Sequence, residues 1–330
     1  MVRINDGLNR RFMVVGVDEW VVRHALSLAV QAIVDAHQST LALSAIPPTL
    51  SQNGLEASVY RAARQACLRM GFIEADAACV ASAWQKQAER TGRFYAQHWP
   101  TEPIDFGIQA LPRNNSFPAC PRQLGLYSVL PDAAWVARMA RAGVPTLQLR
   151  FKSDDPAAIQ REVQAAVQAV HGTDALLFIN DHWQEAIAAG AYGVHLGQED
   201  LGTANLDAIR QAGLRLGLST HGYAEMCLAD THAPSYMAMG AVFPTTLKRM
   251  KTAAQGTGRL HAYAQLLREY PLVAIGGIDM ARLPEVMASG VGSVAVVRAL
   301  IAAKDPEAEA RRLSYAIHGL NHRKHTKSAL

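Results

Sequence analysis

Cysteine is scarce in this chain. Cys67, Cys79, Cys120 and Cys227 are scattered, with no CxxC pair and no zinc-ligand spacing. That excludes a disulfide framework or a metal knuckle, and a reducing, cytoplasmic compartment is expected. Charge is sparse as well: Asp, Glu, Lys and Arg make up 18% of the 330 residues, with a formal net charge of +4. So weak a basic balance does not predict nucleic-acid binding, though it suits anionic small molecules. No apolar run is long enough to span a bilayer, and the N-terminus lacks a basic-then-apolar leader, so no membrane partner is expected. Nor does a GxGxxG open a helix after the first strand, which argues against a dinucleotide-binding open sheet.

Hydrophobic residues are abundant, at 50% of the chain, so a sizeable core can form. Composition breaks at residues 100–123, "PTEPIDFGIQALPRNNSFPACPRQ", where prolines and Asn114-Asn115 mark an irregular connection. Beyond it, strand-like segments recur at 124–130, 146–152, 175–181, 192–197, 215–220, 236–243, 272–278 and 293–300. Helical patterns lie between them, and another, Pro306–His318, follows the last strand. The strands are apolar almost throughout, as expected when both faces are covered. Eightfold alternation predicts an α/β fold, a (β/α)8 TIM barrel over residues 124–330. Residues 1–123 read as an N-terminal helical region with helices near Trp20–His37, Leu55–Met70 and Ala75–Arg90, broken by "SAIPPTLSQNG". Without a nucleotide loop or metal spacing, this region is expected to pack on the barrel or on another subunit of a homo-oligomer. The basic end "HRKHTKSAL" reads as a frayed terminus.

In such barrels the active site lies at the C-terminal strand ends. Gln148, Arg150 and Lys152 are spaced by two, so on a strand all three face inward. A cationic pair there calls for an anion, with phosphate the natural choice, or for local pairing with Asp181 and Asp200. Strand three ends in Asn180-Asp181, and strand four is followed by Gln198-Glu199-Asp200. Two acids on neighbouring strands could hold a hard cation such as Mg2+; each alone could equally cap a helix. Ser219-Thr220-His221, Thr245-Thr246 and Lys248 add donors for phosphate oxygens. Gly276-Gly277 bares backbone after strand seven, near where this fold often binds phosphate. His195 carries no assignment beyond a hydrogen-bonded core histidine. No Ser-His-Asp, Cys-His or Schiff-base lysine arrangement stands out.

Taken together, "TLQLRFK", "LFINDHW", "YGVHLGQEDL", "RLGLSTH", "FPTTLKRM", "VAIGGI" and "GVGSVAVV" resemble thiamine-phosphate synthase over about residues 124–303. The resemblance implies an enzyme that joins 4-amino-2-methyl-5-hydroxymethylpyrimidine diphosphate to a thiazole phosphate, releasing pyrophosphate. It further implies that the segment Gln148-Leu149-Arg150-Phe151-Lys152, with Asn180, Ser219 and Lys248, binds the pyrimidine diphosphate. Asp181 and Asp200 would hold Mg2+, and Arg150, Lys152 and Lys248 would stabilise the departing pyrophosphate. Thr245, Thr246, Leu247, Gly277, Val297 and Arg298 would face the thiazole phosphate. Two positions depart from the family's pattern: Leu247 replaces a threonine, and Arg298 replaces a serine. A thiazole tautomerase is the nearest rival, but it needs no grip on a diphosphate. A non-catalytic regulator on a retired barrel has only Leu247 and Arg298 in its favour.

Overall fold

The computed structural model describes residues 9–43, 58–245 and 252–328. The chain divides into two compact units, Met1–Phe106 and Gly107–Leu330.

The first unit comprises α1 (Asn9–Leu41), α2 (Ser58–Arg69), α3 (Glu74–Thr91) and α4 (Pro103–Phe106). The helical expectation thus holds for the described part, while the break at 44–54 lies outside it. Small side chains let α2 and α3 approach closely: Ala62, Ala63, Ala66, Ala77 and Ala81 are all buried. Aromatic rings close the unit. Trp84 meets the rings of His37 and Trp99 edge-on at centroid distances of 5.9 and 5.3 Å. The His37 ring is also hydrogen-bonded to the carbonyl of Ala96 at 2.9 Å. Burial holds His37 below its ordinary pKa, partly opposed by that bond.

The second unit is a closed parallel barrel in sequential strand order, β1 to β8. Its elements run β1 (Leu126–Leu130), α5 (Ala133–Arg141), β2 (Thr146–Leu149), α6 (Pro156–Val170), β3 (Leu176–Asn180), α7 (Trp183–Ala189) and β4 (Gly193–Leu196). They continue α8 (Leu206–Gln211), β5 (Arg215–Thr220), α9 (Tyr223–Thr231), β6 (Tyr236–Met239), α10 (Gly256–Leu266), β7 (Leu272–Ile275), α11 (Leu283–Ala288), β8 (Ser293–Val296), α12 (Arg298–Ile301) and α13 (Pro306–Ser328). Strand alternation sorts side chains between two cores. Tyr127, Val129, Phe178, Tyr236, Ala238, Val273 and Ala295 fill the inside. Leu147, Leu149, Leu177, Ile179, Leu216 and Leu218, one residue out of phase, are buried outside against the helices.

Two details emerge. First, the compact units divide in sequence at Phe106/Gly107, and residues 107–123 are tied to the barrel. Arg113 Nη2 donates to Asp230 Oδ1 at 2.8 Å and to Tyr270 Oη at 2.9 Å. Phe117 N donates to the Ala233 carbonyl at 3.0 Å. Second, β2, β6, β7 and β8 end earlier than the apolar runs suggest, at Leu149, Met239, Ile275 and Val296. Arg150 still donates its N–H to the Leu130 carbonyl at 2.8 Å, but beyond it the chain turns into the loops that form the barrel mouth.

Candidate active site

Those loops enclose a cavity of about 740 Å3 at the C-terminal ends of the strands. Of the residues expected at a site, Gln148, Arg150, Lys152, Asn180, Asp181, Asp200, Ser219, Thr245, Gly277, Val297 and Arg298 all line it. Leu149 does not: it lies wholly buried on the outer face of β2. Phe151 is half-buried, and its carbonyl faces the His182 ring at 3.1 Å instead. Thr246, Leu247 and Lys248 lie outside the described residues.

The acidic rim is built by two tight turns. Asp181 adopts a left-handed backbone with φ of 65°, a conformation aspartate tolerates better than most residues. Its N–H donates to the His195 carbonyl at 3.0 Å, tying the end of β3 to β4. Its Oδ2 accepts from Lys152 Nζ at 2.7 Å. The local-pairing expectation is therefore met for this couple. With side chains 56% and 26% exposed, however, the bond is a weak one. Asp200 Oδ2 accepts from Gly197 N at 2.9 Å. Neither acid is an N-cap residue: His182 holds that position before α7, without a side-chain cap, and Asn205 caps α8.

Burial, then the nearby Asp181 charge, raises the Asp200 carboxyl above its ordinary value, with the Gly197 N–H opposing. Two oxygen-donor acids that repel each other suit a hard dication. Among the described residues no cluster of three or more His, Cys, Asp or Glu side chains could hold a metal. The chemistry of this donor pair is compatible with a hard cation such as Mg2+, which keeps waters and takes phosphate oxygens.

Beneath the rim runs a polar floor. Gln148 Nε2 donates to Asn180 Oδ1 at 2.8 Å, and Tyr127 Oη donates to Gln148 Oε1 at 2.9 Å. Tyr127 and Tyr236 share a hydrogen bond of 2.7 Å between their hydroxyls. The His195 ring joins Tyr236 Oη through Nδ1 at 2.7 Å and Ser219 Oγ through Nε2 at 2.8 Å. Desolvation holds both phenols above their ordinary pKa, so they stay protonated. Room for this arrangement comes from β5: a Cβ on Gly217 would lie 2.1 Å from the Tyr236 ring.

The opposite rim follows β7 and β8. Gly277 has φ of 66°, and a Cβ there would meet the Pro244 carbonyl at 2.8 Å. Only glycine allows the two loops to cross so closely. Arg282 Nη1 donates to the Gly277 carbonyl at 2.5 Å, and its guanidinium lies 4.6 Å from the Phe243 ring centroid. His221, also lining the cavity, meets Glu225 Oε2 with Nδ1 at 2.6 Å. Nothing in the sequence marks Tyr127, Tyr236 or Arg282 as residues of the cavity. Each tyrosine reads as one more apolar strand residue, and Arg282 as part of a helical surface.

A conserved-domain model described as "Thiamine monophosphate synthase" matches residues 127–300, just over half of the chain and nearly the whole barrel. The chain belongs to the thiamine monophosphate synthase family. It is an enzyme, and a transferase. A thiamine-phosphate synthase of Yersinia pseudotuberculosis is 49% identical over 203 residues, which cover 62% of this chain and 94% of that protein. One from Neisseria meningitidis serogroup B is 52% identical over 193 residues, 58% of this chain and 94% of its own. The solved structure of a thiamine phosphate pyrophosphorylase from Pyrococcus furiosus superposes with a TM-score of 0.53 at 26% identity, covering 60% of this chain and 98% of that one. The family's barrel is thus present nearly end to end, whereas residues 1–126 lie outside the family match.

Proposed function

We propose that the barrel mouth condenses 4-amino-2-methyl-5-hydroxymethylpyrimidine diphosphate with a thiazole phosphate, giving thiamine monophosphate and pyrophosphate. The observation that carries this reading is the convergence of Asp181 and Asp200 with Arg150 and Lys152 on one rim of the cavity. Asp181 and Asp200 would hold Mg2+, which supplies positive charge to a diphosphate when bound. Arg150 and Lys152, both exposed at the rim, receive the diphosphate, with Lys152 exchanging its contact with Asp181 for a phosphate oxygen. As the pyrimidine's C–O bond breaks, its electron pair leaves with pyrophosphate, and the cationic rim stabilises the charge that grows there. The aminopyrimidine ring delocalises the resulting cation, and the thiazole nitrogen's lone pair forms the new C–N bond. No protein nucleophile is needed. Gln148, Asn180 and Ser219 seat the pyrimidine over the floor. Gly277, Val297, Arg298 and Thr245 face the thiazole phosphate on the far rim.

The test is to mix purified protein with both substrates and Mg2+ and to follow thiamine phosphate as fluorescent thiochrome. Product that vanishes in EDTA, and in the Asp181→Ala, Asp200→Ala double variant, is expected. Folded wild-type protein that yields no product would overturn the assignment.

A further inference from the structure

The floor of the cavity is one unbroken hydrogen-bonded chain, Asn180–Gln148–Tyr127–Tyr236–His195–Ser219, and its five contacts all measure 2.7 to 2.9 Å. It crosses the barrel through six strands, β3, β2, β1, β6, β4 and β5. Tyr127, Tyr236, His195, Gln148 and Asn180 are all buried, at 2%, 0%, 6%, 5% and 8% exposure, so water does not readily replace a link. Each phenol has a single proton, and neutral imidazole has one N–H and one acceptor nitrogen. Such a chain can therefore be ordered in only two ways, end to end.

With Gln148 Nε2 donating to Asn180 and Tyr127 donating to Gln148, every later link is determined. Tyr236 must donate to Tyr127. His195 must then donate from Nδ1 to Tyr236 and accept at Nε2 from the Ser219 hydroxyl. The only hydroxyl proton of Ser219 is thereby consumed, so its oxygen can only accept from a ligand. At the other end, the Asn180 amide keeps N–H donors for the cavity.

We infer that Tyr236 and His195 are positioning residues that fix opposite hydrogen-bonding senses at the two ends of the floor, acceptor at Ser219 and donor at Asn180. A flat heteroaromatic ring with an amino group on one edge and a bare ring nitrogen on another satisfies both ends in one orientation only. A ring carrying a carbonyl in place of the amino group leaves Ser219 facing an acceptor, and a buried unmatched pair of this kind is strongly rejected. The inference rests on the synthase reading and deepens it, because it says how an aminopyrimidine is told from an oxopyrimidine.

The experiment uses the full chain with 15N-labelled histidine, taking the resonances that disappear in His195→Gln as those of His195. In the wild type the proton should reside on Nδ1, with Nε2 showing the shift of an unprotonated nitrogen. Tyr236→Phe keeps the ring but removes the acceptor for Nδ1, so the proton should move to Nε2 or average between the two. The same variant should lower kcat/KM for the pyrimidine diphosphate by about 10- to 100-fold, the usual range for a supporting shell, while leaving KM for the thiazole phosphate unmoved. A wild-type proton on Nε2 overturns the inference, as does a Tyr236→Phe variant that changes neither tautomer nor kcat/KM. Wild-type protein that makes no product would sink the synthase reading alone, and the tautomer result would still decide this one.

Discussion

At the scale of single residues, Asp181 joins more of the chemistry than any other side chain described. It holds a left-handed turn, pairs with Lys152 and repels Asp200. Asp181→Asn keeps the turn, since asparagine tolerates the same backbone, but removes the charge. We predict that it lowers kcat/KM by on the order of 100-fold or more, in line with the loss of one preorganised electrostatic contact. It should also let the Asp200 carboxyl titrate lower, which a 13C-NMR titration of the metal-free protein can read. Lys152→Ala should behave differently. Both partners of that ion pair are substantially exposed, so stability should change by less than about 1 kcal/mol. Activity should fall nonetheless, and urea unfolding run beside the assay separates the two effects. Gly217→Ala is the converse case: an added Cβ drives into the Tyr236 ring, and a loss of about 1 to 3 kcal/mol is expected from overpacking. Thermal unfolding checks it.

At the scale of elements, two buried arrangements control stability away from the chemistry. Asp230 on α9 is 3% exposed and depends on Arg113 and Tyr270. Arg113→Met should destabilise the barrel by roughly 3 to 5 kcal/mol, because it leaves an uncompensated buried carboxylate. In the helical unit, burial depresses His37 below its usual value of 6.5, so the folded form prefers neutral imidazole. The unfolded chain then binds protons more readily as pH drops. Stability from this residue is therefore present above about 6.5 and lost as pH falls toward the folded value. Between pH 8 and pH 5 the wild-type melting temperature should decline more steeply than that of His37→Gln.

These same elements show what the sequence makes legible. Eight apolar runs separated by helical patterns were enough to order the barrel, since covered parallel strands need neither alternation nor polar faces. That Asp181, Asp200, Arg150 and Lys152 would line the barrel mouth is legible, because each follows the end of a strand-like run. Their exact support was not readable: Arg150 and Lys152 stand beyond the end of β2, on a loop whose course depends on packing rather than pattern. The Tyr127–Tyr236 contact spans 109 residues of sequence, and the Arg113–Asp230 contact spans 117. Nothing local marks either one, because each half is unremarkable until the barrel closes.

At the scale of the whole molecule, a closed barrel gives every strand two neighbours, so eight strand ends converge on one rim without a gap. That convergence brings an acidic pair, two cations and a polar floor into one cavity from a chain with modest overall charge. The most direct measurement of the central claim is stoichiometry. Purified protein, pyrimidine diphosphate, thiazole phosphate and Mg2+ should yield thiamine phosphate and pyrophosphate in equal amounts, and no thiamine phosphate when either organic substrate is omitted. Pyrophosphate release without the new C–N bond, or no turnover from folded protein, would contradict it.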